Sequence, residues 1–331
     1  MSSIHPPSLT ITFEAALRDL ASKDPRVRAA AAHALGDVTD AELRGRAVDG
    51  LLGVIGDARP EVRAEAAFSL GELETEAAVA PLVERLRDPD MRVRQAAAIG
   101  LGTLGFRAGF EPLRQALVDG PPDLRFQAAT SLAEIDPEAA YEPLLAALGD
   151  GDGEVVGAAA LALGALGDLR ATGHLAGRLD HGRARTRFDV AFALAELGDG
   201  RGAAVLRAAL DDEGLAWDAI ESLERIGDPA AADALQPLAA RRYLLKPLHV
   251  RAAGALVRLA PDHPGAAAAR RLLTLALTHR RLELAGVAVD MLGRLGTDWA
   301  REALGAARAT RRGRRLADEI DGALAPREPP P

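Results

Sequence analysis

A chain of 331 residues with 48% apolar residues but only 3% aromatics can bury a core, provided that alanine and leucine rather than large rings fill it. It has no cysteine, which excludes disulfides and thiolate metal sites and fits a reducing compartment. The net charge of −8 is unevenly spread: residues 1–236 hold 23 Lys and Arg against 39 Asp and Glu, and residues 237–331 hold 17 against 9. Such a bipolar field favours different partners along the chain.

The first ten residues, MSSIHPPSLT, have neither a basic n-region nor an apolar h-region and read as a disordered arm without a secretory signal. No apolar stretch is long and charge-free enough to span a bilayer. Together these features predict a soluble, cytoplasmic protein.

Residues 11–324 read as one repeat array. Leu35, Leu70, Leu101, Leu132, Leu163, Leu194, Leu223, Leu256 and Leu292 head nearly the same phrase, at spacings of 35, 31, 31, 31, 31, 29, 33 and 36 residues. A period near 31 with helical patterning predicts stacked helix pairs, each burying its apolar face against its neighbours. In each unit a first helix carries apolar residues at helical spacing, as in Val79, Leu82, Val83 and Leu86. Pro81, Pro112 and Pro143 are expected near its start, where a missing N–H costs least. A turn follows with Asp57, Asp88, Asp119, Asp150 or Asp180, whose carboxylate is expected to accept from free N–H groups of the second helix. That helix reads V-R-x-x-A-A-x-A-L-G, its paired alanines allowing close approach. Gly36, Gly105, Gly167, Gly198, Gly227 and Gly296 then suit a left-handed cap.

The later copies drift. Val156 replaces the arginine, the seventh unit reads EGLAWDAIESLERIGD, and a longer connection, Arg241–Pro247, enters the eighth. The array is more divergent and basic from about residue 237. Asp298–Leu324 reads as a final helical cap, and residues 325–331, APREPPP, as a disordered tail.

The phrase D-P-x-x-V-R-x-x-A-A-x-A-L-G, strongest at Asp24–Gly36 and Asp88–Gly102, resembles HEAT repeats of the short bacterial type first named after phycobilisome lyases. The resemblance covers about residues 13–300. It implies an all-α, right-handed α-solenoid of the armadillo type, with about nine HEAT-like helix pairs and a C-terminal cap. It further implies that Asp24, Asp57, Asp88 and Asp119, with Arg28, Arg63, Arg94 and Arg125, form a hydrogen-bonded ladder between repeats.

Enzyme chemistry lacks its residues. There is no G-x-x-x-x-G-K-[ST], no H-E-x-x-H and no strand-led G-x-G-x-x-G. HEAT-like hydroxylases hold paired irons through His-Glu dipeptides, but none of the seven histidines here precedes a glutamate. No residue carries phycobilin lyase activity over from the family name. The expectation is a non-enzyme without cofactor or metal.

The open positions of the second helices carry the functional signal. Phe68, Phe126, Phe188, Phe192 and Trp217, with Ile99 and Leu161, form a stripe from the second unit to the seventh, flanked by Glu65, Asp189, Asp218 and Glu221. If it faces a concave groove, it suits a protein segment with apolar anchors and basic neighbours, such as an amphipathic helix. If the helices are rotated by one position, the same side chains pack between neighbours. The expected function is therefore a non-enzymatic protein-binding scaffold, from which the sequence does not separate the alternative of a regulatory subunit of a catalytic partner. A further candidate is the basic end, with Arg270, Arg271, Arg280, Arg281, Arg311, Arg312, Arg314 and Arg315. Arginines contact phosphate without reading bases, but the acidic total charge weighs against nucleic acid and towards an acidic protein surface.

Overall fold

Residues 12–241 and 245–325 are described by a computed structural model, and every regular element among them is helical. The expected N-terminal arm and nearly all of the expected tail lie outside the described residues. Five helix pairs open the chain: α1 (Phe13–Asp19) with α2 (Pro25–Gly36), α3 (Ala41–Val54) with α4 (Pro60–Glu72), α5 (Val79–Arg85) with α6 (Met91–Leu104), α7 (Phe110–Asp119) with α8 (Pro122–Ile135), and α9 (Pro137–Ala147) with α10 (Gly153–Leu166). Next come α11 (Thr172–Ala176) and α12 (Ala184–Glu196), α13 (Ala203–Ala208) and α14 (Ala216–Ile226), α15 (Ala231–Ala239) and α16 (Pro247–Leu259), and α17 (Ala266–Leu277) and α18 (Leu282–Leu295). The pair α19 (Asp298–Ala309) and α20 (Ala317–Leu324) closes the array as its cap. The fold is an all-α solenoid. It divides into two compact units, Met1–His174 and Leu175–Pro331.

All nine signature leucines are buried. Within the first unit, the even-numbered helices from α2 to α10 pack side by side. Ala31 and Ala32, Ala66 and Ala67, Ala97 and Ala98, Ala128 and Ala129, and Ala159 and Ala160 have no bulk to hold those helices apart, and all are fully buried. In the second unit, α12 meets α14, α14 meets α16, and α16 meets α18.

The ladder joins successive turns of the first unit. Arg28 grips Asp57 with Nε and Nη2, both at 2.8 Å. Arg63 holds Asp88 at 2.8 and 2.7 Å, and Arg125 holds Asp150 at 2.7 Å on both arms. Arg94 departs from expectation: its fork lands on Asp123, at 2.8 to 3.2 Å, and not on Asp119. Asp119 is the last residue of α7, and Gly120–Pro121 run extended behind it, so the first carboxylate to reach the rung is Asp123 in the first turn of α8.

Three more local expectations are corrected. Asp57, Asp88 and Asp150 accept from the N–H two residues on, within the turn, and the true caps of α6 and α10 are Asp90 and Asp152. In the sixth repeat it is His181 that takes this turn-forming bond, from the N–H of Arg183 at 3.2 Å, in place of Asp180. Pro143 stands inside α9, because that helix starts six residues earlier at Pro137 under an Asp136 cap. Gly36 has no left-handed backbone, unlike Gly105, Gly167, Gly198, Gly227 and Gly296. A Cβ on Gly36 would stand 2.7 Å from Ser69, so what the position requires is close approach of α2 to α4.

Candidate interaction face

Two residues of each second helix, six and two positions before its leucine, lie one turn apart on a common side. In the first unit these positions are exposed or half-buried, apart from the buried Gly157. Phe68 is 39%, Phe126 38% and Leu161 37% exposed, and Ile99 is half-buried between them in the order of the helices. Large apolar side chains at comparable exposure on neighbouring helices cost water contact that burial would relieve, at roughly 25 cal/mol for each Å² covered. Glu65 flanks this face half-buried, its Oε1 lying 2.8 Å from Nδ1 of His33 on α2. The same register on α8 is polar, Gln127 donating to Thr130 at 2.8 Å.

The second unit departs from the expected stripe. Phe188 is only 3% exposed and belongs to the cluster containing Leu206, Leu210 and Ile220, and Asp189 is buried beside it. Burial pushes the Asp189 carboxyl above its ordinary range, against the pull of Arg185, whose Nε donates to it at 2.9 Å. The expectation that both residues stand open is therefore corrected: the start of α12 turns towards the core cluster. Phe192 is half-buried, its ring 6.3 Å from that of Phe188. Trp217 (37% exposed), Asp218 and Glu221 do face outwards on α14.

Behind Trp217 lies a charged cluster that the repeat register did not single out. Arg251 of α16 is buried, its guanidinium 4.8 Å from the Trp217 ring centroid and 3.4 Å from Oε2 of Glu224. Glu221 and Arg258 adjoin the pair at 3.5 and 3.8 Å. Burial raises the Glu224 carboxyl, opposed by Arg251, Arg258 and Arg294. The sequence signal was present: Glu224 follows its signature leucine where most other repeats have Gly or Ala. A large acidic side chain at a packing position calls for a buried cation across from it.

In the basic region, Arg270 lies 5.8 Å from the Trp299 ring and donates to the Pro261 carbonyl. Arg281 pairs with Glu283, and Arg312 donates to the Thr278 carbonyl at 3.1 Å, tying the turn after α19 to the end of α17. Arg271, Arg280, Arg311, Arg314 and Arg315 are exposed and pair with no carboxylate among the described residues. Also among the described residues, no group of three His, Asp or Glu could hold a metal ion, and no helix is long and apolar enough to cross a membrane.

The chain matches the family described as HEAT repeats over residues 48–108 and 110–195, and the PBS lyase HEAT-like repeat over residues 186–212 and 215–241. No curated protein matches it. Among solved structures, an engineered protein is 20% identical, covering 94% of this chain and 98% of that one, with a TM-score of 0.46. The complex of CpcE and CpcF of phycocyanin lyase from Nostoc sp. PCC7120 is 24% identical, covering 82% of this chain and 96% of that one, with a TM-score of 0.39. Human deoxyhypusine hydroxylase in complex with glycerol is 21% identical, covering 76% and 96%, with a TM-score of 0.35.

Proposed function

Because this chain is a HEAT-repeat protein of the PBS-lyase HEAT-like type, we propose that it is a non-enzymatic adaptor that binds a protein segment on its second helices. The observation that carries this reading is the exposure of Phe68, Phe126 and Leu161 on the common side of α4, α8 and α10. Phe68, Ile99, Phe126 and Leu161 anchor apolar side chains in the first unit, and Glu65 favours a basic neighbour. In the second unit Trp217 and the half-buried Phe192 serve as anchors, with Asp218 and Glu221 selecting for Lys or Arg. Phe188 and Asp189 support the core beneath them. Buried aromatic anchors of this kind contribute about 2 kcal/mol or more each.

The test compares wild type with Phe68→Ala/Phe126→Ala in affinity capture from the native lysate, after circular dichroism has established equal helicity. Selective loss of one captured protein supports the reading. Identical captures from two equally folded proteins overturn it. A second reading, nucleic-acid binding at the basic end, rests on the five exposed arginines that have no carboxylate partner among the described residues.

A further inference from the structure

Arg187 occupies the ladder position of the sixth repeat, seven residues before Leu194. The four rungs of the first unit define what such an arginine does. Nη1 donates to a carbonyl of its own turn, at 2.8 to 3.0 Å, while Nε and Nη2 fork onto an aspartate of the following repeat. Arg187 makes the first half of this arrangement, donating from Nη1 to the carbonyls of His181 and Gly182 at 2.9 and 3.2 Å. It lacks the second half: no carboxylate among the described residues pairs with it.

The cause is legible in the spacing. Asp57, Asp88 and Asp150 stand six residues before the next ladder position, and the same offset from Ala216 falls on Leu210, a buried core residue. The seventh repeat spans only 29 residues, and its aspartates Asp211 and Asp212 stand five and four residues before Ala216. Beside Arg187 opens a cavity of about 610 Å³, its wall formed by Arg185, Arg187, Phe188, Val205, Asp212 and Leu215. That volume is in the range of small-molecule sites.

We propose that this cavity binds an organic monocarboxylate with a short apolar body, whose carboxylate completes the rung on Nε and Nη2 of Arg187. The chain's own rungs specify the chemistry, since a planar guanidinium fork matches a carboxylate on two parallel N–H bonds. Phe188, Val205 and Leu215 supply the apolar wall. Arg185 is engaged by Asp189, which leaves one cation for the ligand. Asp212, its Oδ1 fixed by the N–H of Gly214 at 2.8 Å, repels a second negative charge and so selects against dicarboxylates. The site is independent of the exposed face of the second helices. A free acid and the carboxyl terminus of a peptide share this chemistry.

Calorimetric titration of the full chain tests it, with 4-methylpentanoate, 4-methylpentanamide, succinate and N-acetyl-Ala-Leu as probes. The acid or the peptide should bind at least about tenfold more tightly than the amide and than succinate, the worth of a charge-assisted bond. Arg187→Gln should lose that preference by about the same factor, and Arg187→Lys should recover only part of it. Tighter binding of the peptide identifies a polypeptide terminus as the ligand, and tighter binding of the free acid a small metabolite. Equal affinity for acid and amide, or no heat from acid and peptide at millimolar concentration, overturns the proposal. If Arg187→Gln does not fold, the acid-against-amide comparison on wild type still decides it.

Discussion

At the scale of single residues, the rungs are the most directly testable feature, because they combine bidentate geometry with burial. Burial pushes the Asp88 carboxyl up, but the fork from Arg63 and the N–H of Asp90 hold it below the usual carboxylate range. With Asp88 almost inaccessible, Arg63→Ala leaves its carboxylate with only Arg85, at 3.7 Å, as a cation partner and should cost roughly 3 kcal/mol in chemical denaturation. Arg107→Ala breaks a pair whose arginine side chain is 84% exposed, and should leave the melting temperature unchanged. His249 gives a different signature. It replaces the ladder arginine of the eighth repeat, is buried, and accepts from the N–H of Lys246 at 3.1 Å. Burial, with Arg241 and Lys246 nearby and only Glu213 opposing, lowers its pKa below the ordinary value near 6.5. The folded state thus favours neutral imidazole, so its contribution is complete above about pH 6.5 and is lost as pH falls from there through the lowered pKa. Protection factors of the α16 amides, which remove the intrinsic pH dependence of exchange, should fall as pH drops below about 6.5 in wild type, and His249→Gln should flatten that dependence.

At the scale of elements, helix spacing in the first unit is set by what is missing from side chains. A Cβ on Gly71 of α4 would stand 2.6 Å from the Cα of Gly100 on α6, a backbone atom that cannot swing away. Gly71→Ala should therefore destabilise by about 1–3 kcal/mol through overpacking. Gly45, exposed in the middle of α3, has nothing within 4 Å of such a Cβ. There the same change should stabilise by roughly 0.5–1 kcal/mol, since alanine loses less backbone freedom in a helix. Opposite signs in thermal melts of the two variants would separate packing from propensity. Gly71 follows a signature leucine and Gly45 stands in a first helix, and the neighbouring helix supplies the physical reason that the two differ.

At the scale of the molecule, charge is segregated: the last 95 residues hold 17 Lys and Arg against 9 Asp and Glu, in a chain whose net charge is −8. If the unpaired arginines meet nucleic acid, binding of random duplex DNA must weaken steeply with salt, by a logarithmic slope near 0.9 for each phosphate neutralised. The adaptor reading expects no measurable binding even at low salt, and a titration by fluorescence anisotropy distinguishes the two.

The period near 31, the buried leucines and the paired alanines were all determined by the sequence, because local helical periodicity and nearest-neighbour burial are short-range properties that one repeat length contains. The resemblance to HEAT repeats implied the rungs on Asp57 and Asp88, whereas the Asp150 rung and the exposure of Phe68, Phe126 and Trp217, left open in the sequence between groove and core, came from the structure. The tertiary structure alone decided that Arg94 takes Asp123, that Phe188 and Asp189 turn inwards, that Glu224 meets Arg251, and that Arg187 has no aspartate partner among the described residues. Each of these depends on how far a turn or a shortened repeat rotates one helix against the next. A rotation of one residue, about 100°, exchanges core for surface without changing the pattern of the sequence.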